Sequence, residues 1–479
     1  MLDESSLFAR LRSLLTSSPS RHHWRQICSL FSDWPEGEDK RIAVEYADTH
    51  LDHWPDRHKV MPAEWLPSFR KGEFHAHLLL PRTLSSQSIR GISVLQMEAA
   101  FDALAQTRIR RIEFAWTHLP PDILRRLAER ESFANIEQLR LQSATIEPAW
   151  QHVAPFLSSP FTRNLRSLEL SGFKLYLPAL RLLTEKATLP SLNHLDLSWN
   201  NISGNDLSKL EDDSIPLFRH LKTLDLSWNP LGVKGASFLG AQHWEQLRGM
   251  RLVETGLGDR GLEALCTGDG FLEQLRFISL SNNRLTNAGL ELLARTSLTT
   301  RLNSLDLSQN QVDEEGVRTL LALPFVQQLQ ELNLSYCPIG NEGATLLATT
   351  EKLPELQGLL LSHTKLESEG AQALFESPVL KHLRWLDLDN NPLDDKALQA
   401  LANSETLRQL KTLCLGGFDV SKESLLALLS SPVLSKVQSL NLPRHWKKVF
   451  LEELQTRTDL QTPWCQHWGE AGEEETEED

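Results

Sequence analysis

The sequence predicts an α/β solenoid, a right-handed α/β horseshoe with a parallel concave β-sheet, convex helices and a helical N-terminal cap. Three observations predict it. One pattern of apolar, two free, apolar, one free, apolar, four free, apolar begins thirteen times between residues 109 and 442. Successive starts lie 26 to 29 residues apart, and the last six intervals are all 27. A second apolar stripe, at helical spacing, follows each copy at a fixed distance. Self-similarity at such a period marks stacked repeats, whose core grows lengthwise and so escapes the size limit of a globular core.

Each unit begins with a strand. The clearest copies are LNHLDLSWNNI from Leu192, LKTLDLSWNPL from Leu221, LRFISLSNNRL from Leu275 and LNSLDLSQNQV from Leu302. Others start at Ile109, Ile136, Leu165, Leu247, Leu329, Leu356, Leu383 and Leu410, with a truncated one at Val437. The last two apolar residues of LxxLxL alternate with one residue, the period of a strand buried on one face.

A helix comes next. A small residue such as Gly235, Gly261, Gly289, Gly316, Gly343 or Gly370 precedes an apolar one, and three positions on stands Leu239, Leu265, Leu293, Leu320, Leu347 or Leu374. Asp259, Asn287, Asp313, Asn341, Ser368 and Asp394 are suited to cap these helices. Pro190, Pro324, Pro354, Pro378 and Pro432 end the helices and open the return turns. Parallel strands need about 4.8 Å each and packed helices roughly 8–10 Å. The mismatch predicts curvature, with strands inside and right-handed crossovers.

These residues resemble the leucine-rich repeat family, ribonuclease-inhibitor-like subtype, over roughly residues 75–445. The resemblance implies that an Asn eight residues after each start bonds the backbone of its turn. Asn200, Asn229, Asn283, Asn310 and Asn391 match; Thr255, Thr364 and Cys337 supply weaker donors. Ala144, Phe173 and Phe418 supply none, so irregular turns are expected near both ends of the array.

The flanks divide the chain further. Residues 1–74 lack the repeat and read as helices punctuated by Trp34-Pro35 and Trp54-Pro55, a cap for the exposed end of the core. Within them RIAVEYADTHLDHW is similar to the short companion modules that precede repeat arrays in some bacteria. Residues 75–445 form the array, opened by a degenerate unit with a strand at His75–Leu80 and a helix at Gln96–Gln106. Residues 446–468, with Trp446, Phe450, Leu451, Leu454, Trp464 and Trp468, read as a C-terminal cap. Residues 469–479 carry seven acids and no base, the composition of a disordered tail.

Composition narrows the function. The net charge is −14, and no basic stripe offsets it, which disfavours nucleic acid. No apolar run reaches the length of a membrane span. The start MLDESSLFARLRSLL lacks the basic-then-apolar order of a secretory signal, so a cytoplasmic location is expected. Five cysteines, scattered and never spaced C-x-x-C, suggest neither a disulfide framework nor a zinc site. No phosphate loop, nucleophile elbow or HExxH motif occurs. His75 and His77 alternate on the expected strand without supporting ligands. The expectation is a non-enzyme with no cofactor and no metal.

Binding falls to the inner face. The residues between the last two apolar strand positions are Glu113, Arg140, Glu169, Asp196, Asp225, Arg251, Ser279, Asp306, Asn333, Leu360, Asp387, Cys414 and Asn441. Six acids against two bases make a negative row. Phe277 and Trp385 lie two positions earlier; Trp199, Trp228, Tyr336 and His363 lie just beyond the strands. Aromatics beside acids suit interface hot spots. The candidate partner-binding residues are Asp196, Trp199, Asp225, Trp228, Arg251, Phe277, Asp306, Tyr336, Trp385 and Asp387. The competing reading is structural: Asp belongs merely to the LDLS consensus, and the SWN tryptophans only stack on each other. The expected function is a monomeric protein-interaction scaffold for a partner of basic or mixed charge. The alternatives are a regulator of an enzyme (an inhibitor or GTPase activator) and a structural spacer for the N-terminal module.

Overall fold

The computed structural model describes residues 4–62, 65, 76–85, 101, 104–115, 122–143, 150–186, 189–210, 215–267, 274–295, 301–417 and 420–442. They form two units. The first comprises residues 1–202, 209–229 and 243–246; the second comprises 203–208, 230–242 and 247–479.

The first unit opens with helices α1 (Glu4–Thr16), α2 (Arg21–Asp33) and α3 (Glu38–Leu51). Ser20 caps α2 by accepting the His23 amide, and Trp34, in extended conformation, closes it ahead of Pro35. Trp24, Trp34, Trp54 and Trp65 are core residues, and two of them engage their indole N–H. Trp24 Nε1 donates to the Val60 carbonyl at 2.7 Å and Trp65 Nε1 to Ser32 Oγ at 2.8 Å. Arg82 donates to Asp48 at 2.6 Å, tying the residue before the first strand to α3.

Parallel strands follow in sequence order: β1 Thr83–Ser85, β2 Arg111–Ala115, β3 Gln138–Gln142, β4 Ser167–Ser171, β5 His194–Asp196 and β6 Thr223–Asp225. One expectation moves. Ala76–Leu79 is a 3-10 turn, and the leading strand is Thr83–Ser85. Two buried leucines, Leu78 and Leu80, gave His75–Leu80 its strand-like alternation, but a tight turn buries the same pair. His75 and Gln96–Ala100 lie outside the described residues, as do Ala144, Phe418 and the whole of 443–479.

The second unit continues the plan with β7 Gly249–Arg251, β8 Phe277–Ser279, β9 Ser304–Asp306, β10 Glu331–Asn333, β11 Gly358–Leu360, β12 Trp385–Asp387, β13 Thr412–Cys414 and β14 Ser439–Asn441. Every neighbouring pair is parallel and in register, so that Arg251, Ser279, Asp306, Asn333, Leu360, Asp387, Cys414 and Asn441 are successive partners. Helices such as Gly258–Cys266, Glu314–Leu321 and Asp395–Ala402 alternate with the strands. Their leucines and those of the strands form the buried core, each contributing about 2 kcal/mol by leaving water.

The anticipated asparagines form a ladder. Asn229 Oδ1 accepts the amides of Asn200 and Ile202 from the preceding repeat, while its Nδ2 donates to the carbonyls of Leu197, Leu226 and Ser227. In the second unit Thr255 takes a place in the ladder, because its hydroxyl donates to Leu252 O at 3.0 Å and its amide reaches Asn283 Oδ1 at 3.1 Å. The turn at Phe173 also stays regular: Asn200 Oδ1 accepts the Phe173 amide at 2.9 Å. The rung is supplied by the next repeat, so the missing side chain costs only half of the network.

Helix capping departs from expectation in the same way. Asp313 and Asp394 do cap their own helices. Asp259, Asn341 and Ser368 instead sit within a first helical turn and serve the following repeat. Asp259 accepts the Thr286 amide and hydroxyl, Asn341 the Glu367 amide, and Ser368 the Asp394 amide. Asn287, also within its helix, accepts the Asp313 amide. A side chain that leaves a helix start is nearer the next helix start than its own amides when repeats stack this closely.

A further ladder, of serines, ties the helical side. Ser159, Ser377 and Ser404 donate to the carbonyls of Ala128, Ala348 and Phe375 at 2.5–2.6 Å, and Ser431 bonds the Ala402 carbonyl. Three of the four precede a proline that opens a 3-10 return turn. Each satisfies a carbonyl near a helix end; that of Phe375 also accepts the Thr406 hydroxyl at 2.8 Å.

Candidate functional site

Two rows of side chains run across the strands. The inner row, one residue per strand, is much more enclosed than alternation alone implies. Glu113, Glu169 and Asp306 are buried; Asp196, Asp225, Arg251 and Asp387 are half-buried.

In the first unit the inner row starts as an ion-pair cluster. Glu169 lies 3.2 Å from Arg140 and 3.6 Å from Arg111, and Arg111 also pairs with Glu113. Burial lifts the Glu169 carboxyl above its ordinary value against the pull of both guanidiniums. Asp196 and Asp225 follow as register partners. Each accepts a backbone amide two residues on, Ser198 at 2.7 Å and Ser227 at 2.8 Å.

The second unit repeats that local bond. Asp306 accepts the Ser308 amide at 3.0 Å, Asn333 the Ser335 amide at 2.9 Å and Asp387 the Asp389 amide at 2.9 Å. Asp306 is 3% exposed and also accepts the Ser279 and Ser308 hydroxyls. Arg251 holds its guanidinium 5.2 Å above the Phe277 ring centre, a cation–π contact. Trp385 is half-buried, and its indole N–H meets no acceptor among the described residues.

Asp387, Asp389 and Cys414 place potential ligand atoms within 4.8 Å of one another. Cys414 is disulfide-bonded, so its sulfur has no thiolate to offer a cation. Cysteine spacing pointed to no bridge, since pairing depends on proximity in the fold. Burial, reinforced by Asp389, pushes the Asp387 carboxyl up to about 7.

The outer row was legible only in fragments. It occupies the eighth residue of the repeats from the one starting at Leu165 to the one starting at Leu410, just before the asparagine ladder. In the first unit it holds Gly172, Trp199 and Trp228, with φ of 78°, 58° and 60°. In the second it holds Glu254, Asn282, Gln309, Tyr336, His363, Asn390 and Gly417, all at positive φ. Rung hydrogen bonds keep it aligned: Gly172 N to Ser198 O, Trp199 N to Ser227 O, Tyr336 N to Ser362 O and His363 N to Asp389 O. This left-handed turn aims the side chain at solvent, and it suits Gly or Asn; a bulky residue there costs about 1 kcal/mol or more.

Aromatics occupy it nevertheless. Trp199 is 55% exposed, Trp228 38% and Tyr336 53%. The Trp199 and Trp228 rings stack 4.2 Å apart and 12° from parallel; those of Tyr336 and His363 stack 4.2 Å apart at 21°. The spacing is close to that of the strands, so repeat geometry brings equivalent rings face to face. Thus the first unit gathers Asp196, Trp199, Asp225 and Trp228. In the second, Arg251 and Phe277 meet each other, Tyr336 meets His363, and Asp306, Trp385 and Asp387 keep to the strands.

The fold and these rows define a parallel-strand repeat solenoid with a preformed outer surface. The chain carries leucine-rich repeats. The profile of the family described as "Leucine Rich repeat" matches residues 188–210, 219–240, 300–321, 327–348 and 379–402. A Tonsoku-like protein of Danio rerio is 28% identical over 186 residues, 35% of this chain and 13% of that protein; the match therefore spans a small part of that relative. The crystal structure of an internalin from Listeria monocytogenes aligns with 16% identity and a TM-score of 0.35, over 80% of this chain and 94% of that one. Among the described residues no helix is long and apolar enough to cross a membrane.

Proposed function

We propose that the chain is a non-enzymatic, monomeric, cytoplasmic scaffold that binds a protein partner of basic or mixed charge through its outer and inner rows. Leucine-rich repeat domains generally mediate protein–protein interaction. The observation that carries the finer reading is the identity of the exposed left-handed residues. Gly or Asn would relieve the backbone there, yet Trp199, Trp228, Tyr336 and His363 occupy these positions. Large rings held at a strained, solvent-facing turn do nothing for the core and suit a contact surface. Each unit supplies its own patch: Trp199 and Trp228 beside Asp196 and Asp225 in the first, Tyr336 and His363 beside the strand row of Asp306, Trp385 and Asp387 in the second. The rows are already ordered by ladder bonds, so a partner meets a surface that loses little entropy on contact.

The test is capture of partners from the native cell by the wild type and by two double variants, Trp199→Asn with Trp228→Asn and Tyr336→Asn with His363→Asn. At least one double variant is expected to lose a captured protein tenfold or more, about 1.4 kcal/mol. Undiminished capture by both would remove the aromatic rows from the function.

A further inference from the structure

The aromatic column of the first unit ends abruptly. Trp228 stacks under Trp199, and the next position of the row is Gly172, aligned by its rung bond to Ser198. No side chain can stand there. A Cβ on Gly172 would be driven into the Ser143 carbonyl oxygen, and its φ of 78° disfavours any L side chain. Gly172 therefore offers no side chain to cover the face of the Trp199 indole that looks along the row toward it. The difference in exposure agrees, 55% for Trp199 against 38% for Trp228.

From this exposed face beside a bare glycine, and resting on the scaffold reading above, we infer that the Gly172 side of the Trp199 indole is a subsite for an arginine side chain of the protein partner, stacked as the third plane of the column. The charge arrangement selects a planar cation over a neutral ring. Asp196, three residues before Trp199, gives one carboxylate oxygen to the Ser198 amide and meets no cation among the described residues. It neighbours Asp225 in register on one side and Glu169 on the other. Glu169 is already matched by Arg140 and Arg111, so Asp196 is the acid of this stretch left to face a guest. Guanidinium is flat, weakly hydrated and able to lie on an indole while donating to a carboxylate at its edge. The protein already makes the first half of that contact internally, with Arg251 over Phe277.

The test uses the full chain with ¹⁵N-labelled tryptophan and the blocked peptide Gly-Gly-Arg-Gly-Gly, compared with its citrulline analogue, which keeps the shape and removes the charge. Absence of a signal in Trp199→Asn assigns the Trp199 indole N–H. Titration into the millimolar range is expected to move that signal, with roughly two- to fivefold tighter binding for arginine than for citrulline. Asp196→Asn, which keeps the Ser198 bond, should erase most of that difference. Equal response to the two peptides, or a Trp199 signal that stays still, overturns the inference. If partner capture falls with Trp199→Asn while the peptides bind alike, the scaffold reading stands and the arginine subsite falls. If capture ignores Trp199 while arginine still moves its signal, the subsite stands and the scaffold reading falls at this patch.

Discussion

Asn229 Oδ1 accepts the backbone amide of Asn200 at 3.1 Å, one repeat away. Neighbouring turns are therefore joined by side chains that the core leucines alone could not position. The same Oδ1 takes the Ile202 amide, and Nδ2 satisfies three carbonyls. Asn229→Ala leaves several of these buried groups unpaired and should destabilise the chain by about 3 kcal/mol. Urea denaturation followed by circular dichroism measures it; a loss below 1 kcal/mol would mean that water replaces the side chain.

Gly172 and Gly232 separate two costs. Both have positive φ, but a Cβ on Gly232 meets nothing within 4 Å, whereas one on Gly172 strikes Ser143. Gly232→Ala should cost about 1 kcal/mol of backbone strain. Gly172→Ala should cost more than twice as much, seen as the larger drop in denaturation midpoint.

Trp199→Asn should leave stability within about 1 kcal/mol of wild type. Losing the stack with Trp228 costs about 0.5–1.5 kcal/mol, and relief of the left-handed turn returns a similar amount. Asn282 and Asn390 already occupy this position in other repeats. A large loss would make the tryptophan a structural residue and weaken the binding proposal.

Asp387 sets a pH dependence. Its folded carboxyl titrates near 7 against an ordinary 3.8, so folding favours the protonated form. That contribution is complete below about pH 4, fades as pH rises to about 7 and is gone above it. Asp387→Asn keeps an acceptor for the Asp389 amide and removes the buried charge. Its melting temperature should exceed that of the wild type by a few degrees at pH 8 and lie close to it at pH 4. Parallel curves across this range would show that the carboxylate is hydrated.

Cys266 and Cys337 should resist alkylation in the native state. Burial pushes their thiols up to about 12 and about 11, leaving little thiolate at pH 8. Iodoacetamide followed by peptide mass spectrometry is expected to label both after unfolding and neither before it. Rapid native labelling of Cys337 would show that its turn opens.

Much of this was open to reading along the chain. Leu195, Leu224 and Leu305 recur at one fixed place in the repeat and had to share one face; the register of Asp196 with Asp225, and of Asp306 with Asn333, follows from that alone. Leu78 and Leu80 fit a turn as well as a strand, so their alternation does not locate the leading strand. Asp259 and Asn341 stand where a cap for their own helix belongs, but the amides they accept lie in the next repeat. The outer row could be named only at its aromatic members. Glu254, Asn282 and Gln309 share its backbone conformation but carry no pattern of apolarity to announce it.

Sequence periodicity by itself determined the repeat and the parallel strands, because burial of a regular stripe admits one stacking register; the role of the asparagines came from the family resemblance. Tertiary structure decided which polar groups remain available. Asp306 is enclosed by Ser279 and Ser308 while Trp199 stands open over Gly172, and neither outcome follows from a residue's own repeat. Both depend on what the adjacent repeat places at the same rung, a distance of one strand in space and some 27 residues in the chain.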